Sequence, residues 1–263
     1  MANRPLIVAK HIRVGGVLMK LINWFGLGAF IIGAFVTLGH RFGFLHYHIA
    51  FLVFVVALIA CTLIMLIGLV MLGLLIARKR PIQAELIPII LACAMFPVMS
   101  FYAVGMSAFK APMIHDITTD TNNPPVFKYI QDDGYRVNSL IYPGAEVSAL
   151  QKVAYPEIKT FITQHAPRRV YQQSIFTGSL LGWEIIVKDS NSLRFEAITK
   201  TPLFGFVDDI AVRITPIESG GSAVDMRSMS RVGISDLGTN AKRIHSFFAQ
   251  LEAVLEEELI NLQ

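Results

Sequence analysis

Alternating charges mark two predicted neighbouring strands, Ile210–Pro216 and Ala223–Val232. Because successive side chains of a strand point to opposite faces, one face of this pair is apolar and the other is charged. The charged face carries carboxylates and guanidinium groups, at Asp209, Arg213, Asp225, Arg227 and Arg231. Two chemistries fit: ion pairs on a solvated sheet face, worth at most about 1 kcal/mol each, or a polar groove whose arginines bind an anionic headgroup or a partner segment.

A second polar group lies where residues 230–240 lead into a predicted long helix. The first backbone N–H groups of a helix have no partner within the helix and form a natural anion site. Asn240 and Arg243 lie in this first turn. The predicted ligand-binding set therefore combines both groups: Arg213, Asp225, Arg227, Arg231, Asn240 and Arg243.

The sequence predicts no catalytic residue, metal site or cofactor. Asp208 and Asp209 are adjacent on a strand, so they point to opposite faces and cannot both act on one substrate atom. The stretch from His115 to Asp120 begins like a calcium loop but lacks the central glycine and closing glutamate, and Asx turns explain it better. His40, His46 and His48 lack a fourth ligand for a transition metal.

Three long apolar runs precede these elements, at about residues 17–38, 49–77 and 86–107. Each reaches the roughly 20 residues that a membrane helix needs. A cleaved signal peptide is the competing interpretation of the first run, although no convincing cleavage site follows it. Small residues at Gly26, Ala29 and Gly33 allow close helix approach, and packing within the chain is favoured over a dimer seam.

The charge of +4 is unevenly distributed, because the basic excess lies in residues 1–110 and residues 111–263 are mildly acidic. The domain therefore lacks the basic stripe of a nucleic-acid-binding face. Positive residues before the first run, together with Arg78, Lys79 and Arg80, predict a cytoplasmic N-terminus and a cytoplasmic second connection. Three spans would then place residues 111–263 outside the cytoplasm, in the periplasm of a Gram-negative bacterium.

The remaining chain predicts an extended tether over residues 111–125 and a soluble α+β domain over residues 126–263. A helix begins near Pro167 and ends at Gly182, and a second runs from Leu237 to about Ile260. Four strands with short connections lie between them, at Trp183–Lys188, Leu193–Thr199, Ile210–Pro216 and Ala223–Val232. The predicted fold is a membrane all-α part of three helices, followed by a four-stranded antiparallel sheet covered by two helices.

Six blocks of the domain form a distinctive pattern: they run from His115 to Asp120, from Pro124 to Phe127, from Gly182 to Ile185, from Thr201 to Asp209, from Asp225 to Ser228 and from Ser230 to Ile244. Together these blocks resemble the bacterial domain-of-unknown-function family 1499. The resemblance covers about residues 115–251. It implies an envelope protein but supplies no activity, and the three apolar runs depart from the family's simplest pattern of one anchor or none.

These observations favour a multi-pass inner-membrane protein whose periplasmic domain is a non-enzymatic binding or scaffolding module. Its expected partners are the lipid bilayer and an envelope protein, an envelope polymer or an anionic lipid, but not nucleic acid. An accessory subunit of an envelope transporter is one alternative. A hydrolase acting on envelope material through Asp208, Asp209 or Asp225 with His245 is the other.

Overall fold

The computed structural model describes residues 4–105, 108, 110–132, 134–202, 204–218 and 220–260. The chain forms two compact units, which we call the helical unit and the sheet domain. The helical unit comprises the residues up to Gly105 together with Pro202–Phe204, and the sheet domain comprises Met106–Thr201 and Gly205–Gln263.

Three helices build the helical unit: α1 (Arg4–Arg41), α2 (Tyr47–Ala77) and α3 (Leu86–Val104). The buried face of α2 carries mainly small side chains, at Ala50, Phe54, Ala57, Cys61 and Gly68. Large apolar side chains such as Leu52 and Val70 point outward and are exposed. This pattern of small residues inside and large apolar residues outside suits helices surrounded by lipid tails.

Two of these helices are long and apolar enough to cross a membrane, over Lys20–Arg41 and Tyr47–Ala77. The apolar part of α3, Leu86–Tyr102, is shorter. The prediction of three membrane-length helices is therefore wrong for the third helix, α3. The physical reason is the end of α3, where Gly105 leaves the helix with a φ of 80°. The residues at positions 106 and 107 of the predicted span lie outside the described residues.

Glycines of α1 are packed against α3 within the chain. A Cβ atom on Gly33 would lie 2.4 Å from Cζ of Phe96, and one on Gly26 would lie 3.0 Å from Sγ of Cys93. A side chain at position 33 would require the Phe96 ring to move, and one at position 26 would crowd Cys93 and Ile89. For Gly26 and Gly33, the preferred interpretation, packing inside the chain, is confirmed.

The described residues of the sheet domain form six antiparallel strands and three helices. The strands are β1 (Asp116–Thr118), β2 (Phe161–Thr163), β3 (Glu184–Asp189), β4 (Arg194–Lys200), β5 (Val207–Pro216) and β6 (Ser222–Ser230). The helices are α4 (Ala145–Ala154), α5 (Pro167–Leu180) and α6 (Thr239–Ile260). The strand order is β1-β6-β5-β4-β3, and β2 also pairs with β6.

The four predicted strands are present as β3 to β6, but the sheet has six strands rather than four. The two additional strands lie on the same edge of β6, where Asp116 is opposite Met229 and Ile162 is opposite Ala223. Each has three residues, which is too short for an alternating pattern to be visible in the sequence. Residues 116–118 lie inside the stretch predicted as a tether, but they form β1 and are therefore part of the sheet.

The apolar core lies between one face of the sheet and the helices α5 and α6. Phe195, Ile210 and Val212 point into it from the strands, and Phe247 and Leu251 point into it from α6. The ring of Trp183 stacks on Phe247 with 5.1 Å between centroids. The predicted helices correspond to α5 and α6, although α6 begins two residues later than expected because Leu237 and Gly238 have positive φ angles of 53° and 80°.

Candidate functional site

The charged face of the sheet is covered by residues 119–142, which we call the cover segment. The described residues of this stretch, 119–132 and 134–142, form no helix or strand, so their backbone groups need partners outside regular structure. Glu196 on β4 supplies three of them: its carboxylate accepts hydrogen bonds from the backbone N–H groups of Lys128, Tyr129 and Ile130 at 2.6, 3.0 and 2.7 Å. The guanidinium of Arg194 donates to the carbonyl of Val126.

Arg227 is the most deeply buried cation of this face, with 1% of its surface exposed. Its Nε and Nη2 atoms donate to the two carboxylate oxygens of Asp116 at 3.0 and 2.7 Å. Its guanidinium also lies 4.8 Å from the ring centre of Phe127 and 5.4 Å from that of Tyr142. Burial raises the pKa of the Asp116 carboxyl, and the hydrogen bonds from Arg227 oppose that shift.

Arg213 and Asp225 form the one direct cross-strand pair among the predicted residues. They are opposite each other on β5 and β6, with 2.9 Å between Nη2 and Oδ2. Arg213 also donates to Asp120 at 3.2 Å, and Asp225 accepts from the hydroxyls of Thr119 and Thr160. These contacts attach the start of the cover segment to the sheet.

Asp209 joins the other end of the cover segment to the sheet. Its Oδ2 accepts from Arg136 at 2.9 Å, and its Oδ1 accepts from Nε of Arg231 at 2.9 Å. The carboxylate is completely buried. The predicted cross-strand ion pairs are thus present, as Arg213–Asp225 and Arg231–Asp209. The face is not solvated and not an open groove, because the cover segment occupies it.

Asn240 and Arg243 lie on the opposite, helix-covered face. Arg243 donates to Asp208 at 2.6 Å and to the hydroxyl of Ser228 at 2.8 Å. Asn240 donates to the carbonyl of His115 at 3.0 Å and accepts from the hydroxyl of Ser228 at 2.8 Å. Burial raises the pKa of Asp208, and the neighbouring Arg243 opposes that shift.

The expected anion site at the start of α6 is filled by the chain's own Asp236. Its carboxylate accepts from the backbone N–H groups of Gly238 and Asn240, both at 2.8 Å. This side chain caps the helix in the way that aspartate commonly does. Burial raises the pKa of Asp236, and these two backbone bonds act against the increase.

The six predicted binding residues therefore do not form one site. The sheet separates Arg213, Asp225, Arg227 and Arg231 from Asn240 and Arg243. The same separation applies to Asp208 and Asp209, as their adjacent positions predicted. His245 lies elsewhere on α6, 3.0 Å from Glu157 on the surface, so the hydrolase residues do not converge.

The geometry of the two weaker metal candidates is also clear. Asp116 belongs to β1, and Asp120 accepts from the backbone N–H groups of Asn122 and Asn123, which is the expected Asx turn. Across the part of the chain that the structure describes, no group of three or more histidine, cysteine, aspartate or glutamate side chains could hold a metal ion.

One end of the domain instead presents apolar side chains to solvent. Residues 231–238, which we call the end loop, carry Ile234 and Leu237 with 73% and 44% of their surface exposed. Two neighbouring backbone segments add the exposed side chains of Met113 and Val137. The segments are directly bonded, since Val137 N–H donates to the carbonyl of Arg231 and the Ser235 hydroxyl donates to the carbonyl of Pro112. We call these four side chains the end surface.

A family model described as protein of unknown function (DUF1499) matches residues 116–251. The chain belongs to the DUF1499 family. No curated protein matches it. The DUF1499 region starts at the first residue of β1 and ends within α6, so it contains all six strands and the end loop. This match confirms the resemblance found in the sequence blocks.

Sequence reasoning missed Ile234 and Leu237 as members of the DUF1499 end surface. Both lie in a short stretch of glycine, serine and aspartate, where an apolar residue has no strand or helix pattern to explain it. An apolar residue isolated in this way is the feature of the sequence that could have identified Ile234 and Leu237. The partners Asp116, Asp120 and Arg136 were also missed, because each contacts residues at least 73 positions away in sequence.

Proposed function

We propose that this DUF1499 protein is a membrane-anchored, non-enzymatic binding module of the bacterial envelope, and that it binds through its end surface. The helical unit provides the attachment, with two helices that could span a membrane. The sheet domain provides a rigid platform. The single observation that supports the proposal most is the exposure of Ile234 and Leu237 on a loop that is held to the domain by hydrogen bonds of Ser235 and Asp236.

This proposal does not place the binding site in the predicted polar groove, because the side chains of that groove are already paired inside the domain. Arg227 and Asp209 are buried beneath the cover segment, and Arg243 is paired with Asp208. Binding an anionic ligand there would require breaking buried ion pairs. Each charge left without a partner would cost on the order of 3–5 kcal/mol. The end surface needs no such rearrangement.

We further propose that the sheet domain lies outside the cytoplasm. The basic loop Arg78–Arg80 and the basic residues before α1 favour a cytoplasmic location for both. The proposal also requires α3 to cross the membrane, with an apolar part, Leu86–Tyr102, that is shorter than those of α1 and α2. A membrane-impermeant maleimide applied to intact spheroplasts tests this. Labelling of Ile162→Cys before lysis supports an external domain, and labelling only after lysis contradicts it.

The binding surface is tested by thiol accessibility in native membranes. The full chain carries Cys61→Ala and Cys93→Ala, which removes both native thiols. Ile234→Cys probes the end surface, and Ile162→Cys is the matched control because it is also an exposed isoleucine, on β2. The control position is also far from the end surface. Ala223 lies opposite Ile162 and is seven residues along β6 from Ser230, the residue before the end loop, which corresponds to about 23 Å at ~3.3 Å per residue.

The expected result is slow maleimide labelling at position 234 in native membranes and fast labelling after purification in detergent. Position 162 is expected to label fast in both. Equal labelling of position 234 in the two preparations would mean that nothing covers the end surface, and the proposed binding role would be wrong. Trp183 fluorescence, with Trp24→Phe making Trp183 the single tryptophan, verifies that both variants are folded.

A further inference from the structure

We propose that the partner of the end surface is the phospholipid bilayer itself, with Ile234 and Leu237 inserted among the headgroups and upper acyl chains. This inference rests on the proposed function and names the occupant of the same surface. It is a second membrane contact, made by the sheet domain in addition to the apolar helices. Three observations support a bilayer in preference to a soluble partner.

The first observation is the short chain connection to the helical unit. The apolar helix α3 ends at Val104, and Pro112 is bonded to Ser235 of the end loop at 3.0 Å. Eight residues of fully extended chain span at most about 29 Å. The chain that connects α3 to Pro112 is therefore short.

The second observation is the charge around the end surface. The exposed cations are Lys110, two residues before Pro112, Lys200 at the end of β4, and Lys242 in the first turn of α6. The carboxylates bonded to the end loop, Asp209 and Asp236, are both buried and engaged. The carbonyl of Val207, opposite Lys200, accepts a hydrogen bond from the Arg231 N–H of the end loop, and Lys242 N–H donates to the carbonyl of Gly238. An apolar tip with lysines on the segments that adjoin it matches an anionic membrane surface, where apolar side chains enter the boundary and cations contact the headgroups.

The third observation is the backbone of the loop. Leu237 has a φ of 53°, in the left-handed region that a leucine rarely adopts, and its side chain is nevertheless directed into solvent. Such a conformation persists only where the surrounding structure imposes it. The imposing bonds are present: Asp236 N–H donates to the carbonyl of Ile114, and Leu237 N–H donates to the Ser235 hydroxyl at 3.2 Å.

Lipid quenching of a fluorophore tests the insertion. The full chain with Cys61→Ala, Cys93→Ala and Ile234→Cys is labelled with bimane and placed in nanodiscs, one chain per disc. The discs contain phosphatidylcholine and phosphatidylglycerol, with or without bromine atoms on the acyl chains. We expect bromine to quench bimane at position 234 and to leave bimane at the control position, Ile162→Cys, unchanged.

Equal emission at position 234 in brominated and unbrominated discs would overturn the bilayer as the partner. If the same position is still shielded in native membranes, the proposed binding function stands and a protein partner occupies the surface. If it is accessible in native membranes as well, both proposals are wrong. A variant with glutamine at Lys110, Lys200 and Lys242 should lose part of the quenching in discs rich in phosphatidylglycerol, because the electrostatic attraction is removed.

Discussion

Arg227 on β6 and Asp116 on β1 form a two-point ion pair, with their hydrogen bonds at 3.0 and 2.7 Å, in a place where neither side chain reaches solvent. Their strands are adjacent, with Arg227 opposite Thr118. Arg227 also donates to the carbonyls of Pro125 and Leu140, so one guanidinium connects the first strand, the last strand and both halves of the cover segment.

Removing one member of this pair should strongly destabilise the sheet domain. We expect Arg227→Met to lower the free energy of unfolding by about 3–5 kcal/mol, because it leaves the Asp116 carboxylate buried without a cation. The measurement is urea unfolding of the full chain in detergent, followed by Trp183 fluorescence. Trp24→Phe makes Trp183 the single tryptophan, since the chain has two.

The double variant Arg227→Met with Asp116→Leu is the informative control for this prediction. It removes both charges, so it should be less destabilised than Arg227→Met alone. Arg213→Met is a second control on the same face, and its smaller expected loss follows from the partial exposure of its side chain, 23%. A loss for Arg227→Met no larger than that for Arg213→Met would contradict the structural role assigned to the pair.

The cap of α6 should be measurable on its own. Asp236→Ala removes the acceptor of the Gly238 and Asn240 backbone N–H groups and should cost about 0.5–2 kcal/mol. Asp236→Asn should recover part of the loss, because its amide oxygen can still accept a hydrogen bond. The same unfolding assay reports both values, and a stability of Asp236→Ala equal to that of the parent chain would show that the cap is dispensable.

Asp189 should give the domain an acid-dependent contribution to stability. Hydrogen bonds from the Ser192 side chain and backbone, and from Tyr129, lower its pKa from 3.8 to about 2. A carboxyl whose pKa is lower in the folded state stabilises the fold above the unfolded pKa. This contribution is lost as pH falls from 3.8 through about 2.

The measurement compares the parent chain with Asp189→Asn in thermal unfolding as the pH is lowered. The difference between them should be largest above pH 3.8 and should shrink towards pH 2. Ser192→Ala removes the leading cause and should move the transition towards the ordinary aspartate range. A difference that stays constant over this range would exclude Asp189 as its source.

Gly221 is predicted to tolerate no side chain. A Cβ atom there would lie 2.3 Å from the carbonyl oxygen of Thr163, which is backbone and cannot move independently. We expect Gly221→Ala to cost about 1–3 kcal/mol through overpacking. Gly220→Ala is the matched comparison, because that position opens onto free space and is restricted only by its φ of 85°. Comparable stability of Gly221→Ala and the parent chain in urea would show that β2 can shift without penalty.

The sequence was most informative where a pattern repeats. Alternation located β3 to β6 and correctly assigned Asp208 and Asp209 to opposite faces, because a strand has a period of two. Helical periodicity located α5 and α6. The family blocks defined the DUF1499 region, which the family model then matched.

The same patterns could not show what covers the charged face. The cover segment has no period, and its position depends on single long-range bonds such as that from the Lys128 backbone to Glu196, 68 residues away. Alternating charges on a strand look the same in a sequence whether water, a ligand or another part of the chain lies over them. The third apolar run was likewise read by composition, which did not reveal that Gly105 ends its helix.

The most direct test of the account is the maleimide labelling rate of Ile234→Cys relative to Ile162→Cys in native membranes. Both positions carry exposed isoleucines in the structure, so exposure alone predicts similar rates. If the end surface is a binding surface, position 234 should react several-fold more slowly than position 162, and the difference should disappear in detergent. Similar rates at the two positions in native membranes would contradict the account.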